Sequence, residues 1–165
     1  MTRKKICMLG AFAVGKTSLV ERFVKSLFNE RYQTSLGVKI DKKSLVLDDQ
    51  PLELILWDLA GEDEFVSLRL PYLRGASGLL LVADGTRPET LDIALALREK
   101  AMGEIGEVPF ALLLNKADLA EEWHIDPRDI DRLVARGWTV LETSAKSGHG
   151  VEEAFVTLGK EMLEG

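Results

Sequence analysis

The stretch GAFAVGKT, at residues 10–17, decides how the rest of this 165-residue sequence is interpreted. It follows an apolar run at residues 4–9 and precedes a segment with apolar residues at three- and four-residue spacing, so it joins a predicted strand to a predicted helix. In that context the spacing G-x-x-x-x-G-K-[ST] is typical of a phosphate-binding loop, whose backbone N–H groups surround a phosphate at a helix N-terminus. An ordinary flexible turn is the alternative interpretation. The stretch predicts a site for a nucleoside triphosphate and does not indicate which base.

Each part of this loop has a predicted role. Lys16 places a positive charge beside the β- and γ-phosphates, and we therefore also expect it to be a catalytic residue. The Thr17 hydroxyl is a ligand for Mg²⁺. The residues expected to contact the nucleotide in this segment are Gly10, Ala13, Val14, Gly15, Lys16, Thr17 and Ser18.

The remainder of the chain alternates apolar runs with helix-period segments, which predicts an α/β fold with a mostly parallel sheet and helices on both faces. Residues 48–51 predict a hairpin turn that makes one edge strand antiparallel. We expect a single domain over residues 1–165. The predicted strands are 4–9, 38–47, 52–57, 79–83, 108–114 and 138–141.

Three helices have recognisable signals. Thr86 and Glu89 form a predicted capping box for a helix that runs to about Gly103. Asp126 followed by proline predicts the start of a helix that ends at Gly137. The last helix is expected to bury an apolar stripe of Val151, Phe155, Leu158 and Met162.

Composition and charge exclude several classes of protein. The 21 Lys and Arg residues against 27 Asp and Glu leave a net charge of −6, which argues against a nucleic-acid partner. A lone cysteine, Cys7, excludes a disulfide framework. The chain has no apolar run long enough to span a membrane, no cysteine near residue 165 for prenylation, and Thr2 where N-myristoylation needs glycine. We expect a cytoplasmic monomer with no direct membrane anchor.

Two further motifs follow predicted strands, and parallel strands end at the same edge of a sheet. The pattern D-x-x-G at residues 58–61 places Asp58 where it can hold Mg²⁺, and its Gly61 N–H can reach a γ-phosphate. Residues 115–118 read NKAD, and the Asp118 carboxylate can accept two hydrogen bonds from N1–H and the exocyclic amine of guanine. Adenine lacks that donor pair, and it would leave the carboxylate unpaired at a cost of about 1–3 kcal/mol.

The base contacts are completed by neighbouring side chains and by one more segment. The Lys116 stem can lie over the base as apolar cover. Residues 142–146 read ETSAK, and the backbone N–H of Ala145 can meet guanine O6. The residues expected to hold the base are Asn115, Lys116, Asp118, Ser144, Ala145 and Lys146.

Residues 10–17, 58–61, 115–118 and 142–146 together resemble the nucleotide-binding motifs of Ras-superfamily small GTPases. Residues 56–63 (LWDLAGED) and 72–76 (YLRGA) are most similar to the Rab branch. The resemblance covers essentially the whole chain. It implies a G domain with a six-stranded sheet and five helices, which binds GTP and GDP with Mg²⁺ and hydrolyses GTP as a molecular switch.

The resemblance also implies which loops change with the nucleotide. Switch I would be residues 28–37 and switch II residues 61–75, and effector, exchange-factor and activating proteins would contact these loops. Phe28 matches the family's aromatic cover over the guanine ring, although it can equally be a core residue that ends the first helix. The family's Mg²⁺-binding switch I threonine falls on Ser35, with Thr34 as the alternative in another register.

Two residues depart from the family pattern in a way that predicts slow hydrolysis. Glu62 stands where the family has a water-orienting glutamine. A carboxylate ~5 Å from the γ-phosphate, at an effective dielectric of ~20, is repelled by about 3 kcal/mol per unit charge. Glu62 is therefore protonated when used, turned outward, or neutralised by a cation. Phe12 stands where relatives keep a small residue, and its ring is expected to crowd a water-positioning side chain.

Arg31 offers a possible compensation for Glu62. It precedes Thr34 by three residues, a spacing that resembles the catalytic arginine of Gα subunits. Arg31 could therefore act as an arginine in cis, and its alternative is a solvated loop charge.

Two other functions fit parts of the sequence. Glu62 and Phe12 are compatible with a signalling module that binds GTP with little or no turnover. A small metabolite kinase would need an arginine-rich lid, which the sequence does not contain, and would give residues 115–118 no role.

Overall fold

One mixed sheet organises the computed structural model, which describes residues 2–24, 32–33, 38–59 and 70–164. The strands run in the order β2-β3-β4-β1-β5-β6-β7, with β2-β3 and β3-β4 antiparallel and every other pair parallel. Their bounds are β1 Thr2–Gly10, β2 Tyr32–Gln33, β3 Lys39–Leu47, β4 Gln50–Asp58, β5 Ala76–Asp84, β6 Phe110–Asn115 and β7 Val140–Glu142.

Helices cover both faces of this sheet. Within the described ranges the α-helices are α1 Lys16–Val24, α2 Glu89–Ile105, α3 Pro127–Ala135 and α4 Val151–Glu164. There are also two short 3₁₀ segments, Leu70–Leu73 before β5 and Ala117–Glu122 between β6 and α3.

The two faces have separate apolar cores because neighbouring residues of a strand point to opposite sides. In β1, Ile6 and Met8 pack toward α1 and α4, whereas Cys7 and Leu9 pack toward α2 and α3. The first core includes the rings of Phe23 and Phe155, stacked with centroids 4.0 Å apart. Strands buried on both sides need continuous apolar runs, and β5 and β6 have them. The buried stripe of α4 is confirmed by Val151, Phe155, Leu158 and Met162.

The predicted fold class is confirmed, with additions at one edge of the sheet. The six expected strands are present, and the two-residue β2 lies outside β3 as a seventh strand. The antiparallel edge therefore consists of two strands. The hairpin turn is shorter than predicted: Asp48 and Asp49 both have positive φ, 50° and 66°, and Gln50 already belongs to β4. Two successive positive φ values define the tight turn that best matches the twist of paired strands.

The predicted capping box is wrong. Helix α2 begins at Glu89 after Pro88, which supplies no side-chain cap. The Thr86 hydroxyl instead donates to Oδ1 of Asp84 at 2.7 Å. A buried carboxylate needs donors more than a helix terminus does, because terminal N–H groups can be hydrated. The cap of α3 is confirmed: Asp126 accepts a hydrogen bond from the Arg128 N–H at 2.9 Å.

A tryptophan fixes the loops that follow β5 and β6. The Trp123 indole lies against Gly85, where an added Cβ would overlap the ring. The indole Nε1 donates to the Lys116 carbonyl at 2.9 Å, and the His124 N–H donates to the Gly85 carbonyl at 2.9 Å. Gly85 is therefore required by close packing.

We predict that Gly85→Ala lowers the free energy of unfolding by about 1–3 kcal/mol, because the new methyl group forces the indole out of its place. Urea unfolding followed by circular dichroism measures the change. Gly103→Ala is the matched control, because Gly103 is exposed in α2 with open space around it. There alanine is expected to raise the free energy of unfolding by about 0.5–1 kcal/mol, since it favours the helix more than glycine does. Equal effects of the two substitutions would contradict the packing argument.

Candidate functional site

The loop between β1 and α1 bounds a cleft of about 280 Å³, lined by Phe12, Ala13, Gly15, Lys16, Thr17 and Ser18. Two of its residues have positive φ, Ala13 at 62° and Gly15 at 102°. Gly15 also has no room for a side chain, because a Cβ would meet the Asn115 amide. Gly10 is also closely packed, because an added Cβ there would lie 2.6 Å from the Val82 carbonyl oxygen. The backbone is therefore curled tightly at the N-terminus of α1.

Lys16 folds back over this loop. Its side chain is buried, and Nζ donates to the Gly10 carbonyl at 3.4 Å. The ammonium therefore lies beside the loop backbone, where it can meet a bound phosphate. Ser18 is exposed at the rim of the cleft, and 67% of Phe12 is exposed.

Thr17 and Asp58 are brought together by two neighbouring strands. Strand β4 pairs with β1, so Asp58 at the end of β4 faces the start of α1. The Thr17 hydroxyl donates to Oδ2 of Asp58. Burial raises the pKa of Asp58, and it outweighs the opposing effects of Thr17 and of the positive charges on Lys16 and Lys39. A hydroxyl and a carboxylate are both oxygen donors of the kind that Mg²⁺ prefers.

Asn115 joins the phosphate loop to the other predicted segments. It is buried at the end of β6, where Nδ2 donates to the Val14 carbonyl at 2.9 Å. Its Oδ1 accepts from the Thr143 hydroxyl at 3.1 Å. One amide therefore holds the loop after β1 and the loop after β7.

Lys116 leaves the strand in the left-handed region, with φ of 74°. Its Nζ lies 2.8 Å from Oδ2 of Asp84, and about a third of its side chain is exposed. Asp118 is exposed, and its Oδ1 accepts from the Ser144 hydroxyl at 2.7 Å. The Ser147 N–H donates to the same hydroxyl oxygen at 3.0 Å, so the two loops support each other. Ala145 is half-buried and Lys146 is exposed on this loop.

Sequence reasoning missed two residues of the site, Asp84 and Arg87. Asp84 is fully buried at the end of β5, and Arg87 links it to the phosphate loop: Nε donates to Oδ2 of Asp84 at 3.0 Å and Nη2 to the Phe12 carbonyl at 2.9 Å. Burial alone would raise the pKa of Asp84, but hydrogen bonds from Lys116, Thr86 and Arg87 lower it to about 2. An acidic residue at the end of a third parallel strand was the available signal.

Several predicted site residues lie outside the described residues. They are Phe28, Arg31, Thr34, Ser35, Gly61 and Glu62. Of the two predicted switch loops, the structure describes only residues 32–33 of switch I and residues 70–75 of switch II.

The described ranges contain no group of three or more His, Cys, Asp or Glu side chains arranged to hold a metal ion. No helix among them is long and apolar enough to cross a membrane.

A phosphate loop, a buried strand-end aspartate and two loops tied by Asn115, arranged at the carboxyl edge of a mostly parallel sheet, define the chain as a nucleotide-binding P-loop protein. Comparison with known proteins specifies the family. Residues 5–164 match the model of the Ras family. The chain belongs to that family, near its Rab branch, and is a GTP-binding switch protein with GTPase activity.

The relatives match along nearly the whole sequence. The chain is 34% identical to Ras-related protein Rab-7b of Mus musculus over 169 residues, which cover 96% of this chain and 82% of the relative. It is 33% identical to Ras-related protein Rab-8B of Homo sapiens over 161 residues, or 96% of this chain and 78% of the relative. Ras-related protein Rab-8 of Diplobatis ommata is also 33% identical, with 96% and 77% covered.

We predict that Asn115→Asp lowers the free energy of unfolding by about 1–3 kcal/mol, because a carboxylate oxygen would face the Val14 carbonyl without a donor between them. Thr143→Val is the graded comparison: it removes only the weaker contact at Oδ1 and is expected to cost about 1 kcal/mol. Urea unfolding of both variants measures the difference. A smaller loss in Asn115→Asp than in Thr143→Val would contradict the proposed bridge.

Proposed function

We propose that this chain is a Mg²⁺-dependent GTP switch with slow intrinsic hydrolysis, whose nucleotide lies across the carboxyl edge of the sheet between the phosphate loop and residues 115–118 and 142–146. The observation that carries the proposal is the Asn115 amide, which holds the Val14 carbonyl and the Thr143 hydroxyl from two different loops. A triphosphate and a purine base need contacts from both of these loops at once. We further propose that residues 1–165 act as a single G domain.

The phosphates would be bound by the curled loop and by Lys16. Positive φ values at Ala13 and Gly15 turn successive peptide groups, which supports binding of an anion by backbone N–H groups at the start of α1. Lys16 would stabilise the charge that develops on the transferred phosphoryl group.

Guanine would be recognised by Asp118, with the Lys116 stem over the base and the Ala145 N–H at its O6. The contact from Ser144 to Oδ1 of Asp118 supports this assignment, because it holds the carboxylate in place while leaving it exposed. Carboxylate oxygens have more than one acceptor site, so this hydrogen bond does not exhaust the group. Lys146 and Phe28 would complete the contacts.

Mg²⁺ would be held by the hydroxyl groups of Thr17 and Ser35, and Thr34 is the alternative to Ser35. Asp58 would support the ion through its contact with the Thr17 hydroxyl. The oxygen donor set of Thr17 and Asp58 fits such an ion. When bound, Mg²⁺ would neutralise charge on the β- and γ-phosphates. The buried Asp58 would orient the Thr17 hydroxyl.

The attacking water would be placed by Gly61 and Glu62. The exposed Phe12 side chain at the cleft supports slow hydrolysis, because an aromatic ring there would occupy space beside the γ-phosphate. Arg31 would offset the Glu62 charge if it acts in cis. A GTP-binding module with little turnover is the alternative, and Phe12 and Glu62 are the residues that favour it.

The partners we propose are effectors, exchange factors and activating proteins that contact residues 28–37 and 61–75. We also propose that the protein acts as a cytoplasmic monomer, without nucleic acid. These assignments follow the family, whose members switch by ordering such loops around the γ-phosphate.

We predict that unlabelled GTP and GDP, but not ATP, displace fluorescently labelled GDP from the wild-type protein. Asp118→Asn is expected to weaken guanine binding at least about tenfold, because its amide presents N–H groups to the N–H groups of guanine. A displacement titration measures both effects. Asp129→Asn on the exposed face of α3 is the matched control and should bind as wild type does. Equal displacement by ATP would rule the proposal out.

We predict that Glu62→Gln raises the single-turnover rate of GTP hydrolysis by about tenfold, because it removes a charge that repels the γ-phosphate. Quenched-flow measurement of phosphate release from preloaded protein gives the rate. Glu152→Gln in the first turn of α4 is the control and should leave the rate unchanged. A rate that Glu62→Gln fails to raise contradicts the proposed cause of slow hydrolysis.

In the same assay, an unchanged rate of GTP hydrolysis in Arg31→Ala would end the proposal that Arg31 acts as an arginine in cis.

A further inference from the structure

Arg87 belongs to the loop after β5 and contacts the loop after β1, the neighbouring strand. Its guanidinium uses two different nitrogens: Nε donates to Oδ2 of Asp84 at 3.0 Å, and Nη2 donates to the Phe12 carbonyl at 2.9 Å. A guanidinium is planar and rigid, so one contact fixes the direction of the other. Arg87 therefore holds the Phe12 carbonyl in a set position relative to Asp84.

Asp84 is itself anchored from several directions. Its Oδ1 accepts from the Thr86 N–H at 2.9 Å and from the Thr86 hydroxyl at 2.7 Å. Its Oδ2 faces both Arg87 and the Lys116 ammonium, the latter at 2.8 Å. A fully buried carboxylate with this many donors cannot turn without leaving a charge unpaired. Asp84 is thus a fixed point shared by the phosphate loop and the base-side loop.

The contact at Phe12 has a direct consequence for the next residue. The peptide bond between Phe12 and Ala13 is trans and planar, so its C=O and N–H point in opposite directions. Holding the carbonyl toward Arg87 turns the Ala13 N–H away from it. Ala13 has φ of 62°, which costs energy in a non-glycine residue and requires support from its surroundings. Arg87 supplies that support from outside the cleft.

We propose that Arg87 and Asp84 form a positioning pair that retains the guanine nucleotide, by fixing the phosphate loop at Phe12 and Lys116 at the base side from one buried carboxylate. Neither residue needs to touch the nucleotide. The inference rests on the proposed function, because it concerns the rate at which that nucleotide leaves. It adds the last residue of β5 and one residue of the following loop to a site otherwise built at the ends of β1, β4, β6 and β7.

Nucleotide release provides the test. The full chain is loaded with fluorescent GDP and chased with excess unlabelled GDP, in the wild type and in Arg87→Ala. We expect Arg87→Ala to release GDP at least about tenfold faster, because the peptide at Phe12 loses its charge-assisted hydrogen bond. Arg87→Lys should be intermediate, because one ammonium cannot reproduce both arms of the guanidinium.

Arg132→Ala is the matched control. Arg132 also pairs with an aspartate three residues away, but it lies exposed on α3, away from the cleft. It should release GDP at the wild-type rate. A release rate in Arg87→Ala within threefold of the wild-type rate overturns the proposal.

Hydrogen exchange separates positioning from general loss of stability. In GDP-loaded Arg87→Ala, we expect faster exchange in peptides that cover residues 10–17, with unchanged exchange in α4. Uniformly faster exchange along the chain would overturn the proposal, because it would show a structural role only. If the wild type binds no labelled GDP, the proposed function itself fails. If the wild type binds GDP and Arg87→Ala releases it at the wild-type rate, only the positioning pair fails.

Discussion

The arrangement of the site depends on one buried amide, that of Asn115. Parallel strands bring several loops to one edge of a sheet, but they do not fix those loops relative to one another. Asn115 does so, because its donor and its acceptor are satisfied by different loops, at Val14 and at Thr143. Its burial makes both contacts obligatory, since an unpaired amide away from water costs free energy. A single side chain therefore couples the two ends of the site.

The pKa values of two buried aspartates at the same edge of the sheet are shifted in opposite directions. Asp84 accepts enough hydrogen bonds to lower its pKa to about 2, so its negative charge is balanced by donors within the protein. Burial raises the pKa of Asp58, whose hydrogen-bond donor at the start of α1 is the Thr17 hydroxyl. The first carboxylate organises the loops, and the second lies beside the cleft. Similar residues at equivalent strand ends thus have different tasks because their neighbours differ.

Sequence reasoning failed where long-range contacts outweighed local preferences. Thr86 and Glu89 have the spacing of a capping box, yet Thr86 bonds to Asp84 because a buried charge has the greater need of a donor. Asp84 and Arg87 were missed for a related reason. No nucleotide-binding motif contains either residue. The importance of Asp84 depends on Lys116, which is 32 positions away from it in the sequence but 2.8 Å away in space. The second antiparallel pairing at β2 was missed because two residues carry no periodic signal.

The parts that could be predicted from the sequence share a simple property: their signal is local. Residues 10–17 announce a phosphate loop locally, since glycine at 15 and the transition from strand to helix are both encoded within eight residues. Periodicity likewise distinguishes the helices from the strands, and so gives the fold class. The contacts between loops have no local signal in the sequence, because a hydrogen bond such as that between Asn115 and Val14 joins residues 101 positions apart. Such contacts exist only once the sheet has assembled, and so only the folded chain reveals them.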